Sequence, residues 1–571
     1  MSSDFDPILL EVLWNRLLAI AEEQAQALFH SAFNTAVGEA EDFASTILDV
    51  EGNLLAQSVS TGTLSMLTGM AKSAKHVLKQ FPTSELAPGD AIICNDPWIM
   101  SGHKFDVTMI SPVFNGSRLV AFTATSIHVT DIGGIGFSAS SKDTYYEGLT
   151  IPPLKFMERG KPNSSIVELI RHNVRFADQV IGDLLAQTSA NEVGALKILE
   201  FIREYSLSDL RGIAREVISL SEKAVRNAIS RLPAGTYAQE VYMDGFEEPL
   251  RIAVALSVDG SEIIADFAGT AKQVPYGINC PLNVSYGYTA HAIKSAMVPE
   301  VPNNEGFFRP IKVCAPAGSL LNPLHPAPVM ARHLLYTFVS AAVFGALAKV
   351  IPDRVIAESG NYVLPSIMGT DDRGQPFAYW FATRCGMGAR PGLDGYSGTN
   401  YPASVGTVPI EIVEKVSPVF VLCKGFVPDS GGPGKHRGGC DQEITFRVRS
   451  DQPIVFSAMF ERTRFPAQGY LGGREGGPSK VLVNGLPVAS KGSVTLQPGD
   501  RVTASGGGGG GFYPPEERDP RDVLLDVECG LVSTVNAAKR YRVSISGNDD
   551  DGFTVDWDKT EKLRNRPGRT A

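Results

Sequence analysis

The chain has 571 residues, with 52 Lys plus Arg against 62 Asp plus Glu, a net charge of −10 and 43% hydrophobic residues. That length exceeds the roughly 250–300 residues at which one hydrophobic core stops growing, so several packed units are expected and a lone small binding module is excluded. An acidic balance without a basic stripe argues against nucleic acid as a partner, and no run approaches the roughly 18 uninterrupted apolar residues of a membrane span. The opening stretch, MSSDFDPILLEVLWNRLL, is acidic before it is apolar; it lacks the basic region of a secretory signal, and a cytoplasmic protein is expected. Seven cysteines are scattered with no Cys-x-x-Cys spacing, which predicts buried reduced thiols rather than a disulfide frame or a thiolate zinc site.

In chain order, Asp6 followed by Pro7 predicts a helix start, and Leu10, Leu13, Leu17 and Ile20 recur at helical spacing on one face. The text from Ser45 to Gln57 reads as two extended runs around Glu51-Gly52-Asn53, a hairpin. DVTMISPVF and RLVAFTATSIH, joined at Asn115-Gly116, predict a second hairpin. From about 164 to 232 the pattern turns helical, with capping boxes expected at Ser165/Glu168 and at Ser206/Asp209. Strands are expected again over 236–275, a buried helix over 333–350, and strands and turns from about 405 to 505. The six glycines Gly506 to Gly511 admit two readings, a nest of backbone amides for an anion or a mobile surface connection, and without a Lys or a helix start the surface connection is the expectation.

The chemistry is bounded first by what is missing. The sequence contains no P-loop, no G-x-S-x-G elbow, no H-E-x-x-H and no Rossmann glycine set after a strand. The informative stretch is 95–134, which holds two of the nine histidines. If Asn115-Gly116 is a two-residue turn, an unbroken ladder sets His103 opposite His128, a separation from which two imidazoles can converge on one ion. Asp106 would then fall on the far face, and a turn or bulge near Lys104-Phe105, next to Gly102, is needed to bring it round. Two neutral nitrogens and a carboxylate would suit a divalent transition metal, Zn, Mn or Fe(II), acting as a Lewis acid. The alternative is a pair of strand-end histidines that only hydrogen-bond to carbonyls.

Several ordered blocks resemble a known group. They are EDFASTILDVEGNLLAQ, NDPWIMSGHKFDVT, HVTDIGG, YYEGLTIPPLKF, IRHNVRFADQVIGDLLAQ, YGINCPLNV, PNNEGFFRPIKVCAPAGSLLNP, GMGARPGLDGYSG, GGPGKHRGG and the poly-Gly run with ERDPRDVLLDVECGLVS. Together they resemble, almost end to end, the B-type subunits of the hydantoinase/oxoprolinase family, which includes N-methylhydantoinase, caprolactamase and the larger-chain subunits of acetone and acetophenone carboxylases. The resemblance implies metal ligation by His103, Asp106 and His128, with Asp42 a further metal-site residue. His128-Val129 stands where many relatives carry two histidines, and Lys104-Phe105 replaces a more usual small or Pro-containing pair.

The resemblance also implies a partner, a hydantoinase A-like ATPase subunit that uses ATP to phosphorylate the substrate carbonyl oxygen, in an assembly of two copies of each chain. On that basis the expected function is the metal-bearing subunit of an ATP-dependent amidohydrolase that opens a cyclic amide: a hydantoin, an oxoproline or a lactam. Asp131 is a candidate base or a turn-former, and Glu147 a group that positions an amide nitrogen of the substrate or a partner in a structural salt bridge. A ketone carboxylase subunit and a non-catalytic scaffold for the ATPase are the alternatives. The expected fold is mixed α+β and multi-domain, predominantly antiparallel β with packed helices. Its parts are an N-terminal helix with the metal-bearing β region (1–163), a helical segment (164–235), an α+β region (236–404) and a C-terminal β-rich region with the poly-Gly loop (405–571).

Overall fold

Asp6 caps the first helix, Pro7–Ser31, by accepting from the amides of Ile8 and Leu9, and the helix buries Leu10, Leu13, Leu17 and Ile20 as their spacing predicts. The computed structural model describes residues 5–60, 64–403, 405–548 and 550–565. The chain forms two compact units, one made of 1–239, 253–343 and 403–409, the other of 240–252, 344–402 and 410–571.

The first unit is built on a seven-stranded antiparallel sheet of β1 (Phe43–Leu48), β2 (Leu54–Gln57), β3 (Ala91–Cys94), β4 (Asp106–Asn115), β5 (Arg118–His128), β6 (Leu154–Glu158) and β7 (Lys161–Pro162), in the order β2-β1-β5-β4-β3-β6-β7. The helix Ala177–Glu204 lies under the central pair and ties it down through buried amides. Gln187 Nε2 donates to the carbonyls of Val107 and Thr125, both at 3.1 Å, and Asn191 Nδ2 donates to Met109 O at 3.1 Å. Gln24 of the first helix joins them through Asn191 Oδ1 at 2.9 Å. Such bonds engage carbonyl lone pairs left over by the ladder, so helix and sheet are fixed in register as well as by apolar burial.

The β4–β5 hairpin exists, but its register differs from the expected one. Asn115 pairs with Arg118 across Gly116-Ser117, and a bulge between Val113 and Phe114 shifts the ladder again, so the residue opposite His128 is Asp106. His103 therefore lies ahead of β4, in the turn that begins at Gly102 with φ +86°. Two expected helix starts are also corrected. Asn163, not Ser165, caps Ser164–Arg171, because its side chain reaches the amides of Ser165 and Ile166. Ser206 adopts φ +53° outside any helix, and Arg211–Ile229 starts after Leu210 without a side-chain cap.

The second unit holds two antiparallel sheets, one of Pro376–Trp380, Ser366–Thr370, Ile454–Met459 and Lys491–Leu496, the other of Val419–Phe426, Gln442–Val448, Arg501–Ser505, Lys480–Val483 and Leu486–Pro487. Between the strands runs glycine-rich backbone. Gly506 to Gly511 is buried throughout, which overturns the expected mobile surface connection. The amides of Gly508, Gly509, Gly510 and Gly511 donate to the carbonyls of Gly477, Gly439, Glu358 and Arg474 at 2.8–3.0 Å. Those donors are spent on protein carbonyls, so the run is not an open anion nest either. All seven cysteines are free thiols; Cys94, Cys280, Cys385 and Cys440 are buried, but Cys314, Cys423 and Cys529 are exposed. Among the described residues no helix is long and apolar enough to cross a membrane.

Candidate metal centre

The turn before β4 delivers His103, the first residue of β4 delivers Asp106 and the last residue of β5 delivers His128. All three side chains are buried, and their ligand atoms lie within 4.8 Å of one another. His103 Nε2 is 2.8 Å and His128 Nδ1 3.2 Å from the same oxygen, Asp106 Oδ1. Donors bound at about 2.0–2.2 Å to one ion stand roughly 3 Å apart, so these separations fit a shared cation. Asp42, just ahead of β1, puts Oδ2 3.8 Å from His128 Nδ1, at the edge of the cluster.

Hydrogen bonding decides what each atom can offer. His103 Nδ1 faces Met330 O at 3.1 Å. A carbonyl only accepts, so Nδ1 carries the proton and Nε2 keeps its lone pair. That bare nitrogen has no hydrogen-bond geometry with any neighbour despite lying 2.8 Å from Asp106 Oδ1. Two lone pairs so close in a buried site repel unless a cation sits between them, and this juxtaposition fits a metal better than it fits a strand-end hydrogen bond.

The electrostatics favour the ligating forms. Burial and the Arg332 charge pull the His103 imidazole down to about 4, against the opposing pull of Asp106, so it is neutral at physiological pH. Burial alone would raise the Asp106 carboxyl; the neighbouring positive charges, with Arg332 NH2 2.6 Å from Oδ2, hold it well below the usual carboxylate range. Aromatic rings shield the cluster. Phe105 stacks on His128 with centroids 5.4 Å apart, and Phe137 contacts Phe105, His103 and His128 at 5.2–5.9 Å. A site walled in this way strengthens each charge interaction within it.

The other expected residues lie in the surrounding loops. Asp131 accepts from Arg175 NH1 at 2.7 Å and from the Gly133 amide at 3.1 Å, which ties its carboxylate into a turn. Glu147 is fully buried, and its Oε1 accepts from Ser141 Oγ and from the amides of Val329 and Met330 at 2.7–2.8 Å. Burial pushes its carboxyl up to about 7, opposed by those hydrogen bonds and by Lys104. Lys104 is buried as well, and Nζ donates to Thr144 O at 2.6 Å and to Gly148 O at 2.8 Å. The Lys-Phe departure thus supplies a loop anchor and a ring against His128.

Sequence reasoning missed Arg332, His333 and Phe137. His333 stacks on Phe137 with centroids 5.4 Å apart, and burial together with Arg332, His103 and His128 pulls its imidazole well below the ordinary range. The signal was present in VMARHLLYTF, where a cation and a histidine open an otherwise apolar buried helix. Buried charge is rare unless paired, so such a pair points to a polar site.

Comparison with known proteins bears on what this arrangement serves. The family model described as Hydantoinase B/oxoprolinase matches residues 6–515. The B-type subunit of a putative D-/L-hydantoinase from a Pseudomonas species is 30% identical over 589 residues, with 98% of each chain covered. The crystal structure of an ATP-dependent caprolactamase from Pseudomonas jessenii superposes with a TM-score of 0.89 at 28% identity, covering 98% of this chain and 100% of that one. A nucleotide-free acetone carboxylase matches with a TM-score of 0.89, covering 98% of this chain and 82% of that one, at 18% identity, a likeness of fold.

Proposed function

The chain belongs to the hydantoinase B/oxoprolinase family, and from that membership and the buried trio we propose that it is the metal-bearing subunit of an ATP-dependent amidohydrolase. Its substrate class is the cyclic amides: hydantoins, oxoprolines or lactams. An A-type ATPase partner phosphorylates the carbonyl oxygen, and the ring opens at this chain's site. Support for the class comes from the hydantoinase and caprolactamase relatives, and support for the division of labour from a sequence without a P-loop. The single observation that carries the metal is the bare His103 Nε2 at 2.8 Å from Asp106 Oδ1.

His103, Asp106 and His128 would hold the ion, and Asp42 lies close enough to His128 to join or orient the set. A bound divalent transition metal supplies Lewis-acid polarisation of a carbonyl or phosphoryl oxygen. The chain's own contribution is to keep the His103 imidazole neutral, to keep Asp106 ionised against Arg332, and to exclude water with Phe105 and Phe137. Asp131 and Glu147 serve in this reading as anchors of the loops around the trio; what supports it is that Asp131 is bonded to Arg175 and Glu147 to two backbone amides.

The test uses the purified chain with its A-type partner and a panel of cyclic amides, reading phosphate release and metal content. The expected result is amide-dependent phosphate release without need of bicarbonate, and a stoichiometric transition metal that His103→Ala and His128→Ala both lose. Dependence on bicarbonate would instead make the chain a carboxylase subunit. Full turnover in His103→Ala would reduce it to a scaffold.

A further inference from the structure

The segment 328–332 is pinned at nearly every residue. Pro328 O accepts from Asn279 Nδ2 at 2.8 Å, the amides of Val329 and Met330 both donate to Glu147 Oε1, and the Ala331 amide donates to Gly277 O at 2.7 Å. From this fixed stretch two groups face the trio. Met330 presents its carbonyl to His103 Nδ1, and Arg332 presents NH2 to Asp106 Oδ2 at 2.6 Å while its Nε donates to Ser101 O. Gly102 leaves room for this: a Cβ there would lie 2.8 Å from Arg332 Cδ and 2.4 Å from Val284 Cγ2.

We propose that the segment 328–332, anchored by Glu147, is the positioning element of the metal centre: Met330 selects which nitrogen of His103 is bare, and Arg332 selects which oxygen of Asp106 is offered. The inference rests on the metal reading above and adds the residues that shape the site. A proton held on Nδ1 aims the Nε2 lone pair inward. A guanidinium on Oδ2 leaves Oδ1, the oxygen shared by both histidines, as the single carboxylate donor. The set becomes two imidazole nitrogens and one monodentate oxygen, which favours transition metals over calcium, whose sites draw on oxygen ligands and often bidentate carboxylates. Glu147 acts through the backbone and is a positioning residue; its Oε1 is the one acceptor that the Val329 and Met330 amides share.

The probe is Co(II), read by its visible absorption and by competition with a chelator, on the full chain below its melting transition. Glu147→Ala is expected to weaken Co(II) binding about 10–100-fold, the usual cost of removing a group that orients a metal ligand, while Glu147→Gln, which keeps the Oε1 acceptor, stays near wild type. Arg332→Met is expected to change the Co(II) absorption envelope, because Asp106 can then offer both oxygens. Wild-type affinity in Glu147→Ala, or a wild-type spectrum in Arg332→Met, would overturn the inference. Should a variant fail to fold, nitrogen NMR of histidine-labelled wild-type chain with Zn(II) decides, with the His103 signal identified by its loss in His103→Gln. A protonated Nδ1 and a metallated Nε2 support the assignment, and the reverse sinks it. If His103→Ala and His128→Ala keep their metal, the proposed function itself fails. If they lose it and Glu147→Ala does not weaken binding, only the positioning element fails.

Discussion

A carboxyl group buried among amide donors must choose between charge and fit, and Glu147 shows which wins. Its Oε1 takes three donors, yet Oε2 is buried without a hydrogen bond, so removal from water outweighs the hydrogen bonds and the carboxyl rises from an ordinary 4.5 to about 7. The fold therefore holds a proton that the unfolded chain releases. Stability is unaffected below about pH 4.5, where both states are protonated, and falls as pH climbs from there to about 7. A shift of this size corresponds to about 3 kcal/mol. Glu147→Gln has the shape of the protonated acid and cannot ionise. Denaturant unfolding with chelator present should therefore show wild type losing that much stability relative to Glu147→Gln between pH 4.5 and 7. Parallel pH profiles for the two proteins would show that the buried carboxyl is not perturbed in this way.

The hairpin that carries the site was legible in the sequence as an element, and its register was not. Alternation and Asn115-Gly116 located β4 and β5, but the turn used Gly116-Ser117 and a bulge entered at Val113/Phe114, so the face-to-face partner of His128 is Asp106 instead of His103. The trio still converges because the turn at Gly102 brings His103 back over the strand ends, a rescue that depends on Arg332 and Val284, more than 180 residues away in the chain. Contacts at such separation leave no local pattern. The glycine run is a sharper case: composition suggests a loop, whereas the carbonyls that receive its amides belong to Glu358, Gly439, Arg474 and Gly477, all remote in sequence from most of the run. Absence of side chains is what the packing requires there. A Cβ at Gly509 would lie 2.1 Å from Met387 O and one at Gly386 1.9 Å from Gly439 O, both backbone atoms that cannot step aside. Gly509→Ala and Gly386→Ala should each cost at least the upper end of the about 1–3 kcal/mol typical of overpacking. Gly425, with nothing within 4 Å, is the control and should tolerate Ala. Equal melting temperatures for Gly509→Ala and Gly425→Ala would refute close backbone packing as the reason for the run.

At the scale of the whole chain, every group assigned to the metal, and every group that positions those ligands, comes from the first unit, although they are drawn from residues 42 to 332. A cation that binds the folded chain and not the unfolded one stabilises it by mass action, about 2.7 kcal/mol at a free concentration 100 times the dissociation constant. The gain belongs first to the segments whose like-facing lone pairs it separates. Hydrogen exchange on the full chain, with and without added Zn(II), should therefore slow over 101–108, 126–129 and 328–333. It should leave the Gly506–Gly511 run unchanged, since its amides already bond to carbonyls of the second unit. His103→Ala should erase the difference. Slowing confined to the glycine run, or equal slowing in His103→Ala, would move the cation away from the hairpin and with it the site of ring opening.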